Sequence, residues 1–378
     1  MIVAIIVILL FIGLAVGIQY SVKLKPSIPS YSSPVDLISI YTAMISSDWH
    51  IEPLYIEEKD QIAQDDWEII TTVKWDGLSS ADKGDTLISV DNSAVRNFAT
   101  QVPTKSDRLF FYTGDTFSHK LDNDILNSQI ESTIMNNIFT HLKQYFDTDK
   151  IFYVMGNHNG RIDKGFFKDD PISIAWAQSL IDHQIFIPKS EDELDLFMNC
   201  GYYRKHIPNT TIDVICLNST VFSNISSQYG CDSCPCIQEQ LDQLNKDLED
   251  IYNSNKFVYI LAHYPIDTDK KYNFPGNISN WFWTKVDSKY QSIVRGILTG
   301  HTHQQLNNVH TWDSGEYKAH TWNIPSIYWS TSNVIPGKVS SYIKAPFPLN
   351  IPLELAETDV WKTRYKDDEK TSRIKWQN

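Results

Sequence analysis

The sequence predicts an α/β fold on three observations: apolar runs of strand length, stretches of helical period between them, and ligand-type residues where the runs end. In chain order the runs are LISIYTAMIS (37–46), RLFFYT (108–113), KIFYVM (150–155), TIDVICL (211–217), KFVYILA (256–262) and RGILT (295–299). Each is short and nearly continuous, as a strand buried on both faces must be. Helical period runs through Leu126, Ile130, Ile134, Ile138 and Leu142, and again through Ile237, Leu241, Leu244, Leu248 and Ile251. Apolar side chains three and four apart share one side of a helix, so each stretch can cover a sheet. No internal repeat interrupts the alternation. Residues 354–378, charged and without strong periodicity, read as a surface appendage.

Composition bounds what such a fold can do. A chain of 378 residues that is 42% hydrophobic has material for a sizeable core. Its 33 Lys and Arg against 46 Asp and Glu give a net charge of −13, which repels a nucleic-acid duplex and excludes it as a partner. Nothing in the sequence fixes an oligomeric state.

Residues 1–18, MIVAIIVILLFIGLAVGI, carry no charged side chain and stand outside the fold. Ala15-Val16-Gly17 offers the small-x-small cleavage site of a signal peptide. The run is also just long enough to span a bilayer as a signal anchor, although Lys23 and Lys25 behind it would then hold the rest of the chain in the cytosol. Four N-x-S/T sequons, at Asn209, Asn218, Asn224 and Asn277, favour the exocytic side. The expectation is a secreted or lumenal glycoprotein, with membrane anchoring through residues 1–18 as the alternative.

The cysteines are Cys200, Cys216, Cys231, Cys234 and Cys236. CDSCPC has neither a second Cys pair nor a nearby His with which to complete a zinc site, so a local disulfide clip is expected there. An odd count leaves one thiol over, and Cys216, inside the apolar run IDVICLN, is the natural buried one. The other four allow three connectivities, and the sequence does not choose among them.

The ends of the runs carry the chemistry. LISIYTAMISS leads into Asp48-Trp49-His50, RLFFYT into Gly114-Asp115, KIFYVM into Gly156-Asn157-His158, KFVYILA into His263, and RGILT into Gly300-His301-Thr302-His303. In α/β architectures the carboxyl ends of strands form the ligand crevice, so residues distant in sequence converge there. A lone His-x-His would read as ordinary polar residues on a turn; five such ends together do not. Carboxylate, amide and imidazole donors suit divalent cations, and two cations ~3.5–4 Å apart can share one carboxylate. Asp115 is the bridge.

These residues resemble the five-part signature of the calcineurin-like metallophosphoesterases, D-x-H, GD, GNH, H and GHxH, with all five parts in order. The resemblance implies that family's fold, a central β-sandwich flanked by helices with a dinuclear metal site at the strand ends. The catalytic domain would span 36–335, followed by a C-terminal extension over 336–378. One metal would be held by Asp48, His50, Asp115 and His303, the other by Asp115, Asn157, His263 and His301, and His158 would protonate the leaving oxygen. Ser118 and His119 follow the Gly-Asp, where purple acid phosphatases and Ser/Thr protein phosphatases carry other residues. His119 resembles the acid-sphingomyelinase-like phosphodiesterases, in which it lies near the substrate phosphate. Asn159, in place of an acidic residue, and AHYPID, without Pro-Pro-Gly, depart from the pattern.

The resemblance implies a two-metal hydrolase, a phosphodiesterase acting on a phospholipid or nucleotide, including a substrate presented on a membrane surface. A phosphomonoesterase and a non-catalytic binding module on the same fold are the alternatives. On ligand type the cations are zinc, with manganese or iron as alternatives. Asp82, Asp85 and Glu191-Asp192-Glu193 read as solvated loop charges. His141, His183, His206, His310 and His320 read as structural or exposed.

Overall fold

The computed structural model describes residues 41–51, 88–117, 128–159, 170–222, 235–266, 282, 284, 286–303, 306–311, 318–324, 339–347, 359–364 and 375–377. These all fall within one compact unit, Ser39–Asn378. The leader at 1–18 and His119, Cys231, Cys234, Asn224, Asn277, Asp82 and Asp85 lie outside the described residues. No helix among the described residues is long and apolar enough to cross a membrane.

Two six-stranded sheets form the centre. The first contains β1 (Tyr41–Ser46), β2 (Arg108–Tyr112) and β3 (Ile151–Tyr153), parallel and adjacent, extended beyond β1 by β10 (Val339–Phe347), β11 (Asp359–Arg364) and β12 (Lys375–Gln377), all antiparallel. The second runs β4 (Tyr203–His206), β5 (Ile212–Cys216), β6 (Phe257–Leu261), β7 (Val294–Thr299), β9 (Lys318–Asn323) and β8 (Leu306–Thr311). In it β5, β6, β7 and β9 are parallel neighbours. The expected strand runs become β1, β2, β3, β5, β6 and β7. Their mostly continuous apolar pattern reflects burial on both faces; all residues of β2 and β5 are buried.

Helices α1 (Ile88–Gln101), α2 (Ser128–Tyr145), α3 (Pro171–Asp182), α4 (Glu191–Cys200) and α5 (Pro235–Asn253) complete the layers. The helical stretches read from sequence are α2 and α5; Ile130, Ile134, Ile138 and Leu142 of α2 are buried, as are Leu241, Leu244, Leu248 and Ile251 of α5. Glu191-Asp192-Glu193 is not loop but the first turn of α4, where acidic side chains favour the helix N-terminus. Ser190 caps that turn by accepting from the Glu193 amide at 3.2 Å, and Gly201, in the left-handed region at φ 69°, ends the helix.

The sheets meet where side chains of β4 close the outer edge of β3. The Tyr203 hydroxyl accepts from the Tyr153 amide at 2.9 Å and donates to its carbonyl at 3.1 Å, while Lys205 donates to the Ile151 carbonyl at 2.6 Å. Groups that an edge strand would leave open are thus satisfied.

Two expectations change here. Within the stretch read as a surface appendage, Asp359–Arg364 and Lys375–Gln377 form β11 and β12, which extend the first sheet, and DVWKTR mixes charge with apolar residues as an outer strand can. The described disulfide joins Cys200 to Cys236, 36 residues apart, tying the end of α4 to the start of α5; a clip within CDSCPC falls on Cys231 and Cys234, outside the described residues. Cys216 is free and buried, as its apolar run implied. Second, Asn218 is 1% exposed and its side-chain amide donates to the Cys200 carbonyl at 2.9 Å, so this sequon is interior structure and not a surface acceptor. Asn209 is exposed on the β4–β5 turn.

Candidate metal centre

Parallel strands put their carboxyl ends side by side, and the turns leaving β1, β2, β3, β6 and β7 carry Asp48, His50, Asp115, Asn157, His158, His263, His301 and His303. The turns are laced together. The Asp48 amide donates to the Gly114 carbonyl at 2.8 Å, the His50 amide to Asp115 at 3.1 Å, and the Gly300 amide to His263 at 2.9 Å. The backbone is strained where the ligand types sit. Asp48 (φ 50°), His50 (44°), Asp115 (61°), His301 (70°) and His303 (57°) all occupy the left-handed region. Such a conformation costs roughly 1–2 kcal/mol per non-glycine residue, so the surrounding fold must impose it.

Two groups result. Asp48, His50, Asp115 and His303 can each offer one ligand atom such that all lie within 4.8 Å of one another, and so can Asp115, His263 and His301. In the first, His303 Nε2 stands 3.3 Å from Asp48 Oδ1 and 3.1 Å from His50 Nε2, which is 3.7 Å from Asp115 Oδ2. In the second, His263 Nε2 lies 3.2 Å from Asp115 Oδ2 and 2.9 Å from Asn157 Oδ1, which brings Asn157 into the group. Asp115 belongs to both.

The supporting contacts orient these donors. His263 Nδ1 lies 2.8 Å from the Thr113 carbonyl and His50 Nδ1 3.0 Å from the Phe117 carbonyl. Those contacts orient each ring with Nε2 facing inward. Asp48 is held by the Ser47 hydroxyl and by the His301 amide, 3.0 and 3.1 Å from its two oxygens. Asn159 Oδ1 accepts from the amides of Gly156, Asp115 and Thr116 at 2.9, 3.0 and 3.3 Å, pinning the turn after β3 to the turn after β2. A side chain on Gly156 would collide with the Asp115 amide and carboxylate, so only glycine fits there.

Burial opposes the charge on Asp115, but the imidazoles of His263, His158 and His50 outweigh it and hold the carboxyl well below the usual range. Burial opposes charge on His263 too, and the Asp115 carboxylate overrides it, raising the imidazole to about 9. Burial, then the neighbouring His263 charge, depress His301 to about 3, which leaves its ring neutral with a lone pair to give.

His158 sits apart from both groups. Its amide donates to Asp115 Oδ1 at 2.8 Å, and its ring meets the His50 ring edge-on at 5.1 Å. It is partly exposed, as are His301 and His303, whereas Asp48, His50, Asp115, Asn157 and His263 are buried. The floor is therefore enclosed and the rim reachable. Sequence reading missed Ser47, which bonds its neighbour Asp48, and Ser219, whose hydroxyl meets partners across the fold and so leaves no local pattern.

The donors fit divalent cations: carboxylate and amide oxygens and imidazole nitrogens converge, and no thiol is among them. A family model described as calcineurin-like phosphoesterase matches residues 43–305, a span holding all these residues. Sphingomyelinase phosphodiesterase C of Dictyostelium discoideum is 26% identical over 267 residues, 68% of this chain and 56% of that protein. Acid sphingomyelinase-like phosphodiesterase 3b of Mus musculus is 20% identical over 275 residues, 69% and 58%. The chain thus spans somewhat over half the length of these relatives. Among solved structures, a dimetal phosphatase from Danio rerio is similar with TM-score 0.44 and 12% identity, over 82% of this chain and 96% of that one.

Proposed function

From the premise that the chain belongs to the calcineurin-like phosphoesterases, we propose that it is a two-metal phosphodiesterase acting on a phospholipid or nucleotide diester. The observation that carries the reading is the convergence of two donor groups on one carboxylate, Asp115. Asp48, His50, Asp115 and His303 hold one cation, and Asp115, Asn157, His263 and His301 the other; zinc suits these donors, with manganese or iron as alternatives. When bound, such a pair supplies Lewis acidity toward the phosphoryl oxygens and an activated water.

The chain's own groups do the rest. The buried floor excludes bulk water and keeps the donors rigid. His158, on the rim beside the shared carboxylate, gives its proton to the departing oxygen. The similarity to sphingomyelinase phosphodiesterase C supports the diester over the monoester. His119 is assigned to the substrate phosphate on the sequence resemblance alone. The leader at 1–18, the Cys200–Cys236 disulfide and the exposed Asn209 sequon support a secreted or lumenal site of action.

The test is turnover of bis(p-nitrophenyl) phosphate against p-nitrophenyl phosphate, with metal quantified on the same sample. Two equivalents of metal and preference for the diester are expected. Preference for the monoester would make the protein a phosphomonoesterase, and intact metal without turnover would make it a binding module.

A further inference from the structure

We infer that Ser219 is the positioning residue of the second donor group: its hydroxyl determines where the His263 imidazole stands. The inference rests on the two-metal reading for its consequence, though not for its geometry.

Strands β5 and β6 run parallel, and their backbone pairing continues through the Leu217 amide to the Leu261 carbonyl at 2.8 Å. Beyond it, Ser219 Oγ accepts from two successive amides, at 2.9 Å from His263 and 2.7 Å from Tyr264. All three residues are buried, at 0–1% exposure, where a hydrogen bond to a backbone amide weighs most. Held there by the backbone and at Thr113 by Nδ1, the His263 ring is fixed at both ends.

The peg is itself anchored. Gln240 brackets the backbone of Asn218, accepting from its amide at 3.1 Å and donating to its carbonyl at 3.3 Å. The Asn218 carboxamide donates to the Cys200 carbonyl at 2.9 Å and accepts from the Thr220 amide and hydroxyl at 3.2 and 2.7 Å. Gln240 lies about one turn past Cys236 on α5, and Cys236 is bonded to Cys200. Both supports of the Ser219 turn therefore lead back to one bridge. The Ser219 hydroxyl bonds directly to the backbone of His263, a member of the second group, so that group is where its loss is expected to act first.

Three variants test this: Ser219→Ala removes the acceptor, Ser219→Thr keeps it, and Thr220→Ala loosens the same turn without touching His263. In metal-free protein, hydrogen exchange at the His263 and Tyr264 amides should accelerate in Ser219→Ala and match wild type in Thr220→Ala. Ser219→Thr should restore protection. With metal, titration against a chromophoric chelator should show one equivalent weakened about 10–100-fold in Ser219→Ala and the other unchanged. Unchanged exchange in Ser219→Ala overturns the inference, as does equal weakening of both equivalents. Acceleration in Thr220→Ala as large as in Ser219→Ala would reduce Ser219 to part of a merely structural turn. A wild type that binds no pair of metals would instead sink the phosphoesterase reading, while the exchange measurement still decides the role of the hydroxyl.

Discussion

Among the described residues, two clusters of charge-bearing residues, one around the part-buried Arg204 and one at the strand ends, are built on opposite plans. Around Arg204, each charge meets its complement. The guanidinium lies 2.8 Å from Asp213 through Nε, 2.7 Å from Asp250 and 3.4 Å from Asp247 through Nη1, and the other oxygen of Asp213 is 2.6 Å from His206 Nδ1 and 3.4 Å from Lys256. None of these residues has a positive φ. At the strand ends, carboxylates and imidazoles of metal-ligand type crowd together, and five of their residues occupy the left-handed region. Complementary charge on relaxed backbone closes on itself and serves the fold. Converging ligand types on strained backbone are arranged for something that arrives from outside.

The largest effect expected is therefore at the carboxylate shared by both donor groups. Asp115→Asn should abolish turnover and remove metal from both sites, because one oxygen pair serves both. Two full equivalents of metal in that variant, by elemental analysis, would break the comparison at its centre. His158→Ala comes next. It should keep both metals and lose roughly 10²–10⁴-fold in rate on alkyl esters, with a smaller loss on p-nitrophenyl esters, whose leaving group needs little protonation. An equal defect on both ester types, or lost metal, would remove His158 from the role of acid.

How much of this was legible in the sequence follows the same division. The central parallel strands were, because burial on both faces writes a nearly continuous apolar run. The outer strands were not: YRKH of β4, LNNVHT of β8 and DVWKTR of β11 mix polar and apolar residues too closely to stand out. Helices α3 and α4 announce themselves only by their starts, Asp170-Pro171 and Ser190, since their apolar faces are short. The ligand-type residues were legible because each follows its strand directly. Ser219 was not, since its hydroxyl meets amides 44 and 45 residues away, and neither was the Arg204 network, whose acids come from β5 and from α5.

The comparison sharpens if the self-complementary cluster is opened. Arg204→Ala leaves Asp213 buried with His206 and Lys256 as its described side-chain partners, and it should destabilise the fold by about 3 kcal/mol, the lower end for breaking a buried pair. Urea denaturation measures the loss. Metal content and turnover per folded molecule should stay at wild-type values; a fall in either would mean that the two clusters are coupled.

The smallest effect expected is a pH dependence that the Arg204 cluster alone should produce. Burial disfavours the Asp213 carboxylate, but the His206 hydrogen bond and the Arg204 guanidinium outweigh it and bring the group down to about 2. A carboxyl depressed in the fold contributes stability that is complete above its unfolded value near 4, and that is lost as pH falls toward 2. The shift corresponds to roughly 2 kcal/mol across that window. Asp247 works with the opposite sign: burial raises it despite Tyr202 and Arg204, so the fold takes up that proton before the unfolded chain does. Asp213→Asn separates the two, because Asp247 and its burial remain. The variant should be less stable than wild type at pH 6, and the gap should narrow by roughly 2 kcal/mol on going from pH 4 to pH 2, read from denaturation midpoints at each pH. A gap that stays constant through that interval would mean that Asp213 is not held ionised by its cations, and the self-complementary half of the comparison would fail.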